Sequence, residues 1–237
     1  MSPPHVHGPT DPLDGDGALL ALASEELRGP LTSVNGFLQL LLDGEAGPLT
    51  EGQARMAEVA ARNAEKMTRM IDDLIVIAQV RAGGLDEERT AVDVVSVVRE
   101  RVFSAARELR ARKATVGFSS DPCPSVMGDA PSVTQMVDQM LRGAITFVPP
   151  GGHIDVEVHR TAHGVSVEIT DDGGEMDDLD MATAFEGGAT GAARTPRALV
   201  GSRMGLQLIR DVARAHGGDA TIHAGGGITT IRATLRA

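Results

Sequence analysis

Large apolar residues recur every three or four positions in two runs within the first third of this 237-residue chain. That spacing places the side chains on one face of a helix. The intervening segment, residues 43–50 (DGEAGPLT), contains two glycines and a proline and interrupts the pattern. The sequence therefore predicts two long helices in an antiparallel hairpin. The stripe residues are Leu27, Leu31, Val34, Leu38 and Leu41 in the first helix and Met56, Met67, Met70 and Leu74 in the second.

The period of both stripes is close to that of a coiled coil, and one hairpin cannot cover both of its apolar sides. Pairing with a second copy as a four-helix bundle would bury the remainder. We therefore predict a homodimer, with these nine stripe residues at its interface.

The pattern changes to mixed helix and strand beyond the hairpin. We predict a tail over 1–16, the hairpin over 17–82, a linker over 83–92 and an α/β sandwich over 93–237. The fold class is thus α+β. Within the sandwich the predicted helices are 94–112, 131–147 and 202–216, the strands are 115–119, 153–159, 165–170, 220–223 and 229–235, and 187–200 is a flexible loop.

Charge and composition exclude several classes of protein. The net charge of −11, with no Trp or Tyr, argues against nucleic-acid binding. The single cysteine, Cys123, excludes an internal disulfide and a cysteine-based metal site. No apolar run approaches the roughly 18 residues of a membrane span, so we expect no membrane insertion and a cytoplasmic location.

Several short segments occur in an order that resembles the sensor histidine kinases. In that family a dimerising hairpin carries a phospho-accepting histidine, and a GHKL-type ATP-binding domain follows it. The resemblance implies this architecture for the present chain, from residue 18 to the C-terminus. The segments are 24–32 (SEELRGPLT), 128–129 (GD), 135–147, 171–173 (DDG), 185–186 (FE), 201–206 and 215–218 (AHGG).

The phospho-acceptor position of the family is occupied by Glu25. Imidazole suits that role because one ring nitrogen is an unprotonated nucleophile near neutral pH, whereas a carboxylate is a weaker nucleophile. The family's phosphatase variant pairs an acid with Thr or Asn three residues later. Here Glu26 remains, but Gly29 stands where the polar partner would be. These departures from the family pattern therefore predict that the chain carries out neither autophosphorylation nor phosphatase chemistry.

The nucleotide-binding segments also depart from the family pattern. Gly143 replaces the asparagine that holds Mg²⁺, and Gln139 precedes it by four residues. Asp171 matches the acid that receives the adenine amino group, and Gly173 matches the glycine beside it. In the second glycine segment Gly201 and Gly205 remain, but Arg203 replaces the middle glycine. We expect no metal site and no bound cofactor.

Two functions follow from this pattern. The first is a non-catalytic, dimeric scaffold of the histidine kinase type that binds a response-regulator receiver domain or another two-component protein. Its contact residues would be Glu25, Glu26, Gly29, Ser33 and Gly36. The alternative is a GHKL protein that still binds ATP, with or without Mg²⁺, and has weak or no kinase activity. Its nucleotide contacts would be Asp171, Gly173, Gly201, Arg203 and Gly205.

Simpler explanations exist for the same residues. Glu25 could be an ordinary solvated helix position, and Asp171 and Gly173 could serve only to end a strand and form a turn.

Overall fold

The computed structural model describes residues 13–81, 89–174, 185 and 203–237, and the side chains of 13–22, 25 and 203 lie outside this description. The chain divides into two compact units, Met1–Ala82 and Gly83–Ala237. Each unit is described separately.

The first unit is the predicted helical hairpin. Its helices are α1 (Leu13–Leu42) and α2 (Glu51–Arg81), and α1 continues through Pro30. The α2 helix begins with a reciprocal capping arrangement. The Gln53 amide donates to Thr50 Oγ1 at 3.3 Å, and the Thr50 amide donates to Gln53 Oε1 at 2.9 Å. Residues 13–16, predicted as part of the tail, are helical instead, and residues 1–12 lie outside the described part.

Apolar and polar contacts together hold the two helices of the hairpin. Leu31, Ile71 and Ile75 form a buried apolar cluster between α1 and α2. Arg28 and Asp72 form an ion pair at 2.7 Å, and Asn35 Nδ2 donates to Thr68 Oγ1 at 3.2 Å. These contacts fix the alignment of the two helices along their length.

The second unit is an α/β sandwich, as predicted. Helices α3 and α5 both contact α4. The interior includes Val133, Met136 and Met140 of α4 and Val167 and Ile169 of the sheet, all inaccessible to solvent or nearly so. In chain order the described elements are β1 (Thr90–Val92), α3 (Val94–Ala111), β2 (Thr115–Ser120), β3 (Val126–Gly128), α4 (Ala130–Phe147), β4 (His153–Thr161), β5 (Gly164–Asp171), α5 (Arg203–Ala215), β6 (Ala220–Gly225) and β7 (Ile228–Arg236).

The main sheet has five strands in the order β2-β4-β5-β7-β6. Strands β2 and β4 are parallel, and the other neighbouring pairs are antiparallel. In β5, Val165, Val167 and Ile169 are buried, because alternate residues of a strand point to the same face. Asp171 ends this strand on the same buried face, which brings its carboxylate to the helical layer.

A separate two-stranded ribbon of β1 and β3 was not predicted. Residues 90–92, assigned to the linker over 83–92, form β1, in which Ala91 lies opposite Met127 of β3. Three-residue strands are too short to show a period, and this one exists because of its partner strand. The predicted loop over 187–200 lies outside the described residues.

Candidate functional site

The segment that resembles the phospho-acceptor site lies in α1. Ser24 is buried and Glu26 is exposed. Residue 25 is helical, and its side chain lies outside the described part of the chain. The structure therefore gives the acceptor position an ordinary helical backbone.

Three of the predicted partner contacts form an open strip on α1. Gly29, Ser33 and Gly36 are exposed and lie at spacings of four and three, which places them on one helix face. A Cβ added at Gly29 or Gly36 would meet nothing within 4 Å. The Ser33 hydroxyl donates to the Gly29 carbonyl at 3.3 Å. A partner helix could therefore approach the α1 backbone closely here.

The predicted dimer stripe separates into an inner and an outer part. Leu31 is buried, and Leu38, Leu41 and Leu74 are half-buried. The other five stripe residues are exposed, as are three large apolar residues outside the predicted interface. A helix in a hairpin can present only one side to its neighbour, so a wide stripe leaves an outer edge uncovered. These exposed residues are Leu27, Val34, Met56, Met67 and Met70 from the predicted stripe, with Phe37, Leu40 and Val59 in addition.

In the second unit, Asp171 and Gly173 come together at the end of β5. The Asp171 side chain is buried, and its Oδ1 accepts a hydrogen bond from the Gly173 amide at 3.0 Å. A Cβ at Gly173 would lie 2.3 Å from both the carbonyl carbon and the oxygen of Phe147. Only glycine allows this approach to the end of α4.

Thr229 completes this region and was not predicted from the sequence. It is buried, lies directly opposite Asp171 across β5 and β7, and donates from Oγ1 to the Gly174 carbonyl at 3.1 Å. Sequence periodicity could not single it out, because only the strand register places it beside Asp171. We call Asp171, Gly173 and Thr229 the base end of the site.

The second acid of the DDG segment has a structural role. The Asp172 carboxylate accepts from the His153 amide at 3.1 and 3.2 Å through its two oxygens. A Cβ at Gly152 would lie 2.5 Å from Asp172 Oδ1. Asp172 thus ties the chain that follows β5 to the start of β4.

The helix α4 carries the position of the missing magnesium ligand. Gln139, Gly143 and Phe147 are spaced by four residues and share one helix face. Gln139 is buried, Gly143 is half-buried, and a Cβ at Gly143 would meet nothing within 4 Å. Mg²⁺ requires oxygen ligands in near-octahedral geometry, and the side chain of Gly143 offers none. Gly143 therefore supplies no ligand for a magnesium ion at the position where the family has its asparagine.

The second glycine segment is described in part. Gly205 is buried in the first turn of α5. Gly201 and the side chain of Arg203 lie outside the described residues. Over the described ranges, no cluster of three or more His, Cys, Asp or Glu residues could hold a metal ion.

The far end of α5 is held by polar contacts. The Arg210 guanidinium lies 5.2 Å from the centre of the Phe185 ring, and its Nε donates to Asp219 Oδ1 at 3.0 Å. Burial alone would raise the pKa of the Asp219 carboxyl, but hydrogen bonds from Arg210, the Ala220 amide and Arg214 lower it overall. These contacts attach Phe185 and the β6 start to α5.

Each of the two units matches a known domain family. Residues 16–83 match the His Kinase A (phospho-acceptor) domain, and residues 128–237 match the histidine kinase-, DNA gyrase B- and HSP90-like ATPase domain. The chain belongs to the histidine kinase family.

Individual histidine kinases match over most of the chain at modest identity. The histidine protein kinase DivJ of Caulobacter vibrioides is 29% identical over 220 residues, which cover 89% of this chain and 35% of that protein. The signal transduction histidine-protein kinase/phosphatase MprB of Mycolicibacterium smegmatis is 29% identical over 218 residues, 87% of this chain and 42% of the relative. The chain thus spans well under half the length of these curated relatives.

Solved structures of histidine kinases share the fold. Full-length ShkA in complex with AMPPNP superposes with a TM-score of 0.69 at 18% identity, covering 93% of this chain and 46% of ShkA. In the described part of our structure, no helix has both the length and the apolar character needed to cross a bilayer.

Proposed function

We propose that this histidine kinase family member is a dimeric, non-phosphorylating scaffold in two-component-type signalling. The observation that carries the proposal is the absence of an acceptor: the sequence contains no histidine between His7 and His153, so neither hairpin helix has one. The proposed location is the cytoplasm, where it would meet its signalling partners.

The chemistry of Glu25 supports this proposal. A carboxylate is a weaker nucleophile than imidazole, and the acyl phosphate it would form hydrolyses readily. Gly143 adds an independent argument, because magnesium-assisted phosphoryl transfer needs an oxygen ligand that glycine lacks. Either change alone would impair the transfer, and this chain has both.

The outer apolar edge of the hairpin supports a homodimer. Among the described side chains of the hairpin, Met56 is 76% exposed, Phe37 is 68% exposed, and six other large apolar side chains are exposed as well. Exposed large apolar side chains in such number mark an interaction site. A second copy presents the same surface, so a twofold pairing would bury both edges in one four-helix bundle.

The proposed partner of the dimer is a receiver domain. Glu25 and Glu26 give one end of the strip Gly29–Ser33–Gly36 a fixed negative charge. That charge would stand in for a phosphorylated histidine and attract a basic docking surface. The strip has no side chains longer than serine, so a helix of the receiver could lie against it.

The proposal is tested by incubation of the purified chain with Mg²⁺ and ATP labelled at the γ-phosphate. We expect no label on the polypeptide, either in rapidly quenched samples or in samples held at alkaline pH, where phosphohistidine persists. A histidine kinase with an intact acceptor, treated in parallel, provides the positive control. Stoichiometric label on the hairpin would contradict the proposal.

A second candidate function is nucleotide binding without phosphoryl transfer. The observation that favours it is the base end, where the buried Asp171 is held by the Gly173 amide and Gly173 lies against Phe147. In this arrangement the Asp171 carboxylate is already held in a position to accept a hydrogen bond from the exocyclic amino group of adenine. Calorimetric titration with adenine nucleotides tests this candidate, and absence of heat at millimolar nucleotide would remove it.

A further inference from the structure

The base end of the site is organised independently of any metal. Asp171 is buried on β5, Thr229 lies opposite it on β7, and the Gly173 amide holds the carboxylate at 3.0 Å. Thr229 fixes the following turn through the Gly174 carbonyl. All of these contacts are within the protein, so the region has its binding geometry before a ligand arrives.

The metal position lies one helical turn away. Gly143 precedes Phe147 by four residues, which is about 6 Å along the axis of α4. Because Gly173 touches the Phe147 carbonyl, Gly143 is a near neighbour of the base end. The space where a side chain would stand at Gly143 is open to at least 4 Å. The two ends of the site therefore differ: the residues of the base end are held in place, whereas Gly143 supplies no ligand at the metal end.

Charge near the site opposes a polyphosphate. Asp171 and Asp172 are two adjacent acidic residues at the end of β5. An ATP molecule carries its negative charge mainly on the phosphates, and without Mg²⁺ that charge is not neutralised. Each further phosphate group adds repulsion, while the adenine contact stays the same.

We propose that this site binds an adenine nucleoside or nucleoside monophosphate without a metal ion, as a ligand rather than as a substrate. The proposal rests on the second candidate function and names the class of ligand for it. No bond is made or broken, and the ligand would stabilise the second unit.

The test is calorimetric titration of the full chain with AMP, ADP and ATP, each in Mg²⁺ and in EDTA. For the wild type we expect AMP to bind at least as tightly as ATP, and EDTA to change the dissociation constant of AMP by less than about twofold. Gly143→Asn restores an amide oxygen in open space, and should make ATP binding at least about tenfold tighter in Mg²⁺ than in EDTA. Gly143→Ala adds a Cβ without a ligand atom, and should behave as the wild type does.

Three results would overturn the proposal. Wild-type ATP binding that Mg²⁺ strengthens about tenfold or more contradicts it and leaves the second candidate function in place. Equal affinity of AMP for the wild type and for Asp171→Asn contradicts it, because the ligand then does not use the base end. No heat with any of the three nucleotides removes the inference and the second candidate together. The proposed scaffold function is unaffected by all three results.

Discussion

The imidazole of His216 lies directly against the α-carbon of Gly128. A Cβ at Gly128 would be 2.3 Å from His216 Nε2. Nε2 accepts from the Asp129 amide at 3.2 Å, so the neutral ring carries its proton on Nδ1, which donates to the Val212 carbonyl at 2.8 Å. This buried ring joins the end of α5 to the start of α4.

The stability of the second unit should depend on pH through His216. Burial lowers the pKa of the imidazole below its ordinary value of 6.5, and the nearby Arg89 lowers it further, against the Val212 hydrogen bond and the Asp129 charge. The unfolded chain therefore binds a proton at a higher pH than the folded chain does. Stability is complete above about pH 6.5 and falls as the pH decreases below it. Urea unfolding between pH 7.5 and 5.5 measures the effect.

A matched pair of variants isolates this contribution. His216→Asn removes the titrating ring and should flatten the pH dependence, whereas His223→Asn changes an exposed histidine of β6 and should leave it as in the wild type. Identical pH profiles for the wild type and His216→Asn would show that the ring does not govern the effect.

Two glycines near α4 should respond to alanine in opposite ways. Gly143→Ala fills open space in mid-helix and should raise the free energy of unfolding by about 0.5–1 kcal/mol. Gly173→Ala places a Cβ against the Phe147 backbone, which cannot rotate away, and should lower it by about 1–3 kcal/mol. Denaturant titration of both variants measures the difference. A destabilised Gly143→Ala would mean that the position is not open.

The homodimer should depend on the outer edge of the hairpin. Phe37→Asp introduces a charge at each twofold-related position and should raise the dimer dissociation constant at least about a hundredfold, since a buried Phe contributes roughly 1.5–3 kcal/mol. Phe103→Asp is the control, because Phe103 is 77% exposed on α3 in the other unit. Sedimentation equilibrium measures the dimer dissociation constant of each variant. A Phe37→Asp chain that dimerises as the wild type does would place the interface elsewhere.

Docking of a receiver domain should depend on charge at the start of the strip. Glu25→Gln should slow association several-fold at low salt, and the difference should shrink at high salt because such attraction is screened. Glu45→Gln, in the exposed hairpin loop, controls for net charge. Surface plasmon resonance with the receiver domain that binds the wild type most tightly provides the rates. Equal rates for the two variants would remove Glu25 from the docking surface.

The hairpin could be predicted because the sequence signals that define it lie within each helix and the short loop between them. Apolar residues at helical spacing and the break over 43–50 define both helices, and the structure has them at Leu13–Leu42 and Glu51–Arg81. Which stripe residues are buried within the hairpin and which stay exposed could not be predicted. Leu31 and Leu27 occupy the same stripe, and only the position of α2 buries one and leaves the other exposed.

The candidate site in the second unit could likewise be predicted only in part from the sequence. Asp171 and Gly173 stand out by their resemblance to a known motif, but Thr229 joins them only through the pairing of β5 with β7. Asp172 looks equally available in the sequence, yet its carboxylate is engaged by the His153 amide. Strand β1 was missed for a related reason, since its partner lies 36 residues away, with Ala91 opposite Met127.

The order of the elements, the amphipathic hairpin and the unusual residue types at positions 25 and 143 could be predicted from the chain alone, because they depend on local spacing and side-chain chemistry. Three other properties came only from the folded chain: which stripe residues remain uncovered, that Thr229 stands beside Asp171, and how much space surrounds Gly143. Those properties depend on residues distant in sequence, whose positions are set by strand register and helix packing.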